Sequence, residues 1–394
     1  MNLENPKEYE SCHIDDFKEL FPEEKYLVQQ YDLYTEDGYH LALFRIQNHT
    51  EHRGSFSSEK VPVLFLPGTC DDTLSSLFCA GPDQSFGFIL ADEGFDLWSG
   101  NFRGCRFSRK HKELQISQAE YWEGLTFEHR NRFDIPCFVQ KVAEITHKQM
   151  AILGFSMSCL NILQCLAEPE MRGEIADHIF SYQLISPGLL LKNSTSPLPA
   201  FIKSYVERLE SQGKLHGSLG NKHWNKKCLE RVGTTAEDFK KRATAQVKYF
   251  DHDIDYIYWN VYAPRDEFNP SYRSYVNWNN WLQYYNDSTK DEIVIKKYDY
   301  KDRNMEIYQQ EEPPRYDLGG IQEALTLYRG SSDKIFCEKD FELLVKTLKS
   351  AQVTAVTLDI FGHGGVYSCR RRENYLEVIN RIRKDCPNST EIVL

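Results

Sequence analysis

The chain has 394 residues, 47 of them basic and 58 acidic, which gives a net charge of −11. This length is enough for one large α/β domain with an insertion or for two ordinary domains. The acidic balance argues against nucleic acid as a partner, because phosphate binding needs clustered lysine and arginine. The longest apolar runs have the length of a β-strand, far below the roughly 20 residues of a membrane span, so no integral membrane segment is predicted.

The start of the chain and the cysteines both indicate a reducing compartment. Residues 1–30 contain no basic segment followed by an apolar stretch, which a secretion signal would need. The 11 cysteines are an odd number without a Cys-x-x-Cys pair, as is typical of reduced thiols rather than of disulfides or a zinc site. We therefore expect a cytoplasmic or other non-secretory protein, with neither a metal nor another cofactor.

The first predicted elements are a hairpin and the start of a parallel sheet. Residues 26–46 have the pattern of two strands joined by the turn in TEDGY. The apolar run VPVLFLPG is typical of a central strand that is buried on both faces. A helix ending at Gly94 and a short strand over 95–99 follow.

The middle of the chain continues this alternation. Helical patterns cover 127–147 and 157–166, and short apolar strands cover 150–154 and 179–185. Strands and helices that alternate in this way build a mostly parallel, doubly wound sheet. The predicted fold class is therefore α/β.

The alternation stops between residues 188 and 322, where the sequence is polar and aromatic and includes Trp224 and Trp259. We expect an inserted, partly helical cap there, with one helix over 236–247. The sheet then resumes, and the remaining predicted elements are a strand over 323–330, a helix over 338–350, a strand over 353–360 and a helix over 371–384. The predicted division is a core formed by 1–187 and 323–394, with the cap at 188–322 between its two parts.

Ser156 is the candidate nucleophile. In the stretch AILGFSMSCL it lies between a predicted strand and a predicted helix, the setting of a nucleophile elbow, whose sharp turn needs small residues two before and two after the serine. Gly154 and Ser158 are both small, although Ser158 stands where the usual motif has glycine. Taken alone, the pattern favours an ordinary serine at the start of a helix over a nucleophile.

A catalytic serine needs a base to take its proton and a carboxylate to orient that base. Asp333 follows a predicted strand in a Gly-Ser-Ser loop, and His363 follows the next predicted strand among glycines. Asp333 alone could also be a helix N-cap or a turn aspartate. The chain order Ser156, Asp333, His363 is that of an α/β-hydrolase. The backbone N–H groups of Thr69 and Met157 are the predicted oxyanion donors.

Long blocks of the sequence resemble the acid lipase family, the group that includes lysosomal acid lipase and gastric lipase. The block FILADEGFDLWSGNFRGCRFSRKH is similar to the family's Ala-Asp-x-Gly-Tyr-Asp-Val-Trp-x-Gly-Asn-x-Arg-Gly segment. The block YWEGLTFEHRNRFDIP is similar to its Phe-Trp-x-Phe-Ser-Phe-x-Glu-x-x-x-Tyr-Asp-x-Pro segment. The resemblance extends from about residue 16 to residue 382. It implies an α/β-hydrolase core with a helical cap and the hydrolysis of acylglycerol or sterol esters through an acyl-enzyme, with nucleophile, acid and base at Ser156, Asp333 and His363.

The sequence departs from the family beside these three residues. The family's His-Gly-Leu oxyanion segment reads Pro-Gly-Thr over 67–69, its Gly-His-Ser-Gln-Gly elbow reads Gly-Phe-Ser-Met-Ser over 154–158, and its Asn-His-Leu-Asp-Phe segment reads Gly-His-Gly-Gly-Val over 362–366. Such neighbours affect substrate range and rate, because a displacement of about 1 Å in a catalytic site can cost 10²-fold.

These observations leave two main hypotheses about function. The first is a serine ester hydrolase that acts on lipid-like carboxylic esters, with aromatic side chains of the cap lining an apolar acyl pocket. The second is a catalytically weak or inactive protein of the same fold that serves as a structural or interaction subunit of a larger assembly, which the changed neighbours of Ser156 favour. A hydrolase of non-lipid substrates, such as an amidase or thioesterase, is a third.

Overall fold

The structure, a computed structural model, describes residues 11–50, 54–69, 71–78, 82–116, 118–188, 191–211, 275–366 and 371–387. The predicted helix over 236–247 lies outside the described residues, as do Trp224 and Trp259. Among the helices of the described ranges, none is both long enough and apolar enough to cross a membrane.

Eight strands form one sheet within the described residues. They are β1 (Tyr26–Tyr34), β2 (His40–Asn48), β3 (Pro62–Leu66), β4 (Asp96–Asn101), β5 (Met150–Phe155), β6 (Ile179–Ile185), β7 (Ala324–Gly330) and β8 (Gln352–Leu358). Their order in the sheet is β1-β2-β4-β3-β5-β6-β7-β8. The hairpin β1-β2 and the pair β2-β4 are antiparallel, and every later pair is parallel. The carboxyl ends of the parallel strands therefore meet along one edge of the sheet.

Helices connect these strands. In chain order they are α1 (Thr73–Leu77), α2 (Phe86–Asp92), α3 (Ala119–Glu123), α4 (Phe127–His129), α5 (Ile135–Thr146), α6 (Met157–Ala167), α7 (Pro169–Ile175), α8 (Leu198–Ser211), α9 (Tyr275–Asp287), α10 (Asn304–Tyr308), α11 (Glu338–Thr347) and α12 (Arg372–Asp385). A π-helical turn, Arg130–Asp134, joins α4 to α5.

Two hydrophobic clusters fill the two faces of the sheet. Successive side chains of a strand point to opposite faces of the sheet. Leu64 and Ile152 belong to one cluster, together with residues of α5 and α6. Val63 and Leu153 belong to the other cluster, together with residues of α2 and α12. This is the arrangement of a sheet that is covered by helices on both sides. The predicted α/β fold class is confirmed.

The structure differs from the predicted elements mainly in the helices. The single helix predicted over 127–147 is divided into α4, the π-helical turn and α5. Pro136 lies in the first turn of α5, where it has no N–H to continue the regular hydrogen-bond series. The helix α7 was not predicted, because it follows α6 with only Glu168 between them and its sequence lacks a long apolar repeat.

The described parts of residues 188–322 contain α8, α9 and α10. Ile202 and Val206 of α8 and Leu282 and Tyr284 of α9 are buried in the same cluster as the residues of α6. These helices therefore pack on the core of the molecule. The division of the chain at residues 187 and 322 stays a prediction.

Candidate active site

The structure brings the three predicted catalytic side chains together. Oγ of Ser156 lies 2.9 Å from Nε2 of His363, and Nδ1 of His363 lies 2.9 Å from Oδ2 of Asp333. The three residues follow β5, β7 and β8, whose carboxyl ends lie at the same edge of the sheet. Residues that are 207 and 30 positions apart in the chain thus form one hydrogen-bonded row.

Ser156 has the strained backbone of a nucleophile elbow. Its φ is 52° and its ψ is −113°, a conformation that costs a non-glycine residue on the order of 1–3 kcal/mol and is found mainly at functional sites. The turn is held by the Ser156 N–H, which donates to the carbonyl of Ile185 at 2.9 Å, and by the Cys159 N–H, which donates to the Ser156 carbonyl at 3.1 Å. A Cβ at Gly154 would come within 2.7 Å of Cδ1 of Ile162. A side chain at 154 would therefore displace Ile162, which agrees with the small residue that the motif has here.

Asp333 serves the loop and the histidine with different oxygens. Its Oδ1 accepts hydrogen bonds from the N–H groups of Ile335, at 2.9 Å, and Phe336, at 2.8 Å, and its Oδ2 faces His363. Asp333 is thus both a turn aspartate and a hydrogen-bond partner of His363, and its catalytic role stays a prediction. Since an ionised carboxylate only accepts, the Asp333 contact places a proton on Nδ1 of His363 and leaves the lone pair of Nε2 facing Ser156.

The predicted oxyanion donors lie at the same edge as the three side chains. Met157 directly follows Ser156 and is the first residue of α6, so its N–H is one of the unpaired donors at a helix N-terminus. Thr69 lies three residues beyond the end of β3, whose Leu66 is paired with Gly154 of β5. The positions of both backbone N–H groups suit the predicted role, and the role itself stays a prediction.

Two neighbours of Ser156 make contacts that sequence reasoning did not find. The ring of Phe155 packs 5.6 Å, centroid to centroid, from the imidazole of His363, and a Cβ at Gly68 would lie 2.9 Å from its Cδ1. The hydroxyl of Ser158 donates to the carbonyl oxygen of Pro67. The sequence marks these positions only as departures from the family motifs, and the contacts themselves depend on how β3, β5 and α6 are placed.

Gly188 is a third unpredicted neighbour, two residues beyond the buried Ser186 that follows β6. A Cβ at this glycine would lie 3.4 Å from Cε1 of His363 and 3.7 Å from Oγ of Ser156. The backbone of Gly188 therefore borders the space directly beside the serine and the histidine. Nothing in the sequence other than a glycine after a strand could have indicated this.

Arg103 joins the two blocks that carry the family resemblance. Its guanidinium is fully buried and lies 2.7 Å from carboxylate oxygens of both Asp134 and Asp37. Arg103 belongs to the first block, Asp134 to the second and Asp37 to the opening hairpin. A buried cation needs such paired carboxylates, so these residues hold the segments of the core together and do not touch the reacting groups.

The described residues contain no group of three or more His, Cys, Asp or Glu side chains that could hold a metal ion. The seven cysteines in the described ranges, Cys12, Cys105, Cys137, Cys159, Cys165, Cys337 and Cys386, are free thiols. Burial raises the pKa of Cys159, which lies below the elbow, well above its ordinary value. This buried thiol is a poor candidate for a nucleophile.

Comparison with known proteins identifies relatives over most of the chain. Lipase member K of Homo sapiens is 25% identical over 334 residues, which cover 81% of this chain and 78% of that protein. Lipase member J of Homo sapiens is 26% identical over 345 residues, with 81% and 85% covered. Triacylglycerol lipase 2 of Arabidopsis thaliana is 28% identical over 342 residues, with 82% and 76% covered. No protein-family model matches the sequence.

Solved structures support the fold. A protein of Sulfolobus solfataricus that is assigned as a lipase has a TM-score of 0.54 at 15% identity, and 92% of this chain and 95% of that chain are covered. A bacterial membrane phospholipase A has a TM-score of 0.50 at 13% identity, with 94% and 90% covered.

The sheet, the elbow and the order of the three side chains define an α/β-hydrolase. The relatives, at 23–33% identity, are lipases. The similarity supports a divergent acid lipase-like protein and a carboxylic ester hydrolase.

Proposed function

We propose that the protein is a serine ester hydrolase that cleaves lipid-like carboxylic esters, such as acylglycerols or sterol esters, through an acyl-enzyme. The observation that supports this most directly is the row from Ser156 to Asp333, in which both hydrogen-bond distances are 2.9 Å. A serine hydroxyl is unreactive near neutral pH unless a base within hydrogen-bond reach takes its proton. His363 has that position.

The reaction would begin when Oγ of Ser156 attacks the carbonyl carbon of the ester and Nε2 of His363 takes the hydroxyl proton. Asp333 stabilises the resulting imidazolium through Nδ1, and the N–H groups of Thr69 and Met157 stabilise the oxyanion. The C–O bond of the ester then breaks, the alcohol leaves with the proton from His363, and an acyl group stays on Ser156. Water, activated by the same histidine, releases the acid and restores the serine.

The substrate class is proposed from the relatives, one of which is a triacylglycerol lipase. The alternative, an inactive subunit of an assembly, is favoured by the changed neighbours of Ser156. It gives no reason for the strained φ of 52° at Ser156, whereas catalysis does, because the strain exposes the hydroxyl at the strand-to-helix turn. A non-secretory location stays a prediction.

The test measures hydrolysis of p-nitrophenyl esters with short and long acyl chains by the purified protein and by Ser156→Ala. We expect the variant to lose about 10⁴- to 10⁶-fold in kcat, because the reacting oxygen is absent. Ser55→Ala, which removes an exposed serine hydroxyl, is the matched control and should turn over at the original rate. Turnover by the original protein no faster than by Ser156→Ala would contradict the proposal and favour the inactive subunit.

A further inference from the structure

Ser158 connects the helix that follows the nucleophile to the loop that precedes the predicted oxyanion donor. It is the second residue of α6, and its side chain is completely buried. Its hydroxyl donates to the carbonyl oxygen of Pro67, the first residue after β3. Glycine, the residue that the usual elbow motif has here, would offer no such donor.

The hydrogen bond between Ser158 and Pro67 lies just beyond the end of the pairing between β3 and β5. The pairing between β3 and β5 ends at Leu66 and Gly154, so Pro67 lies beyond the last paired residue. A peptide group is planar, and fixing the carbonyl of Pro67 therefore also fixes the direction of the N–H of Gly68 and of the chain entering Thr69. The Ser158 hydroxyl acts on the loop that carries Thr69 without touching the substrate.

Phe155 packs against the same loop from another direction. A Cβ at Gly68 would lie 2.9 Å from Cδ1 and 3.1 Å from Cε1 of the Phe155 ring. The segment 67–69 is thus held by the Ser158 hydroxyl and by the Phe155 ring, and both residues flank Ser156 within the elbow. Phe155 and Ser158, which both differ from the usual elbow motif, therefore contact the segment 67–69, which differs from the family's oxyanion segment.

We propose that Ser158 is a positioning residue, whose hydroxyl holds the loop 67–69 at the distance from Ser156 that stabilisation of the oxyanion requires. This inference rests on the proposed function. A buried hydroxyl that is hydrogen-bonded to a carbonyl adds a directional restraint to the packing contact of the Phe155 ring. The oxyanion exists only on the reaction path, so the effect belongs in kcat and not in the binding of the ester.

The experiment compares Ser158→Ala and Ser158→Gly with the original protein in ester hydrolysis and in binding of a trifluoromethyl ketone, which forms a tetrahedral oxyanion adduct on a catalytic serine. We expect kcat to fall about 10- to 100-fold with KM unchanged within about 2-fold, as for a loop displaced by a fraction of 1 Å. Affinity for the ketone should fall by the same factor as kcat. Ser158→Cys, which keeps a weak donor and adds no methyl group, should retain more kcat than Ser158→Ala.

Ser76→Ala is the matched control, because Ser76 is also completely buried but its hydroxyl has no hydrogen-bond partner. It should leave kcat and ketone affinity unchanged. The proposal would be overturned if Ser158→Ala had the same kcat as the original protein, or if its KM changed by as large a factor as its kcat. Loss of cooperative unfolding in both Ser158→Ala and Ser158→Gly would also overturn it. An inactive original protein that also fails to react at Ser156 would instead refute the proposed function, so the two failures are distinguishable.

Discussion

The nucleophile of the site lies between two regular elements, whereas its acid and its base lie in two loops. Ser156 lies between β5, in which every residue is buried, and α6, in which ten of the eleven residues are buried. Asp333 and His363 are buried as well, but they lie in loops, and Ile360, three residues before the histidine, is 53% exposed. A packed strand and helix therefore position the nucleophile, whereas the acid and the base also need contacts that hold their two loops together.

Hydrogen bonds between the two loops supply those contacts. The Ser331 N–H donates to the carbonyl of Leu358 at 2.8 Å, and the Ile360 N–H donates to Oγ of Ser331 at 2.8 Å. The Ser332 N–H donates to the carbonyl of Phe361 at 3.2 Å. Packing tolerates an added methyl group poorly, whereas a hydrogen-bonded loop keeps its shape as long as its donors and acceptors are kept. Substitutions should therefore affect stability and activity together on the nucleophile side and separately on the other side.

Asp333→Asn tests the hydrogen-bonded side and should have the largest effect on the rate. The amide oxygen can still accept from Ile335 and Phe336, so the loop should keep its shape. The amide nitrogen cannot stabilise an imidazolium at His363, and we expect kcat to fall about 10⁴-fold, as for an orienting carboxylate in other serine hydrolases. The melting temperature should change by less than about 2 °C, since about 1 kcal/mol shifts the melting temperature of a domain of this size by no more than that.

The control for this variant is Asp317→Asn, since Asp317 also accepts a backbone N–H, that of Gly320 at 3.1 Å, but lies outside the site. Its kcat should be unaffected. A large fall in the melting temperature of Asp333→Asn together with the fall in kcat would contradict the prediction that this loop keeps its shape when the carboxylate is replaced.

Gly68→Ala tests the packed side, where both quantities should change. The new Cβ would lie 2.9 Å from the Phe155 ring, so the ring or the loop must move. We expect a loss of about 1–3 kcal/mol in the free energy of unfolding, typical of overpacking, and about a 10- to 100-fold loss in kcat from the displaced loop. Denaturant titration and ester hydrolysis measure the two effects.

Gly173→Ala serves as the comparison, because a Cβ at Gly173 in α7 would meet nothing within 4 Å. Alanine there should stabilise the helix by roughly 0.5–1 kcal/mol relative to glycine and leave the rate alone. Adding Phe155→Leu to Gly68→Ala should restore part of the lost stability. A Gly68→Ala protein with full stability but reduced kcat would show that packing does not hold this side.

Glu128 in α4 belongs to neither side, and its substitution should have the smallest effect. Burial raises the pKa of its carboxyl from the ordinary 4.5 to about 7, and the Tyr308 hydroxyl of α10 lies 3.0 Å from Oε2. Between those two pH values the folded protein binds more protons than the unfolded chain, so stability should decrease as the pH rises from about 4.5 to about 7.

Glu128→Gln removes this titration and should flatten that part of the stability profile. Because the side chain is only partly buried, we expect the variant to be more stable than the original protein by about 1 kcal/mol at pH 8 and nearly equal to it at pH 5. Denaturant titrations at the two pH values check this. If the free energy of unfolding depended on pH in the same way in both proteins, Glu128 would not be the group that titrates.

Local patterns in the sequence were sufficient for the sheet and for the three central side chains. The predicted strand over 179–185 matches β6 residue for residue, because an apolar run bounded by turns defines a buried strand. Ser156, Asp333 and His363 could be located because each follows such a run. The contacts of Phe155 with Gly68 and of Ser158 with Pro67 could not be predicted, since they depend on the register of β3 against β5, residues about 90 positions apart in the chain. The π-helical turn was missed for a related reason, as the pattern over 127–147 stays helical across it.

Covalent labelling tests the central claim, that Ser156 is a nucleophile activated by His363, most directly. The protein would be treated with a fluorophosphonate, digested and analysed by mass spectrometry, with Ser156→Ala and His363→Ala treated in parallel. The account predicts a phosphonyl adduct on Ser156 in the original protein, none on that peptide in Ser156→Ala, and much slower labelling in His363→Ala. An unmodified Ser156, or labelling that does not depend on His363, would contradict it.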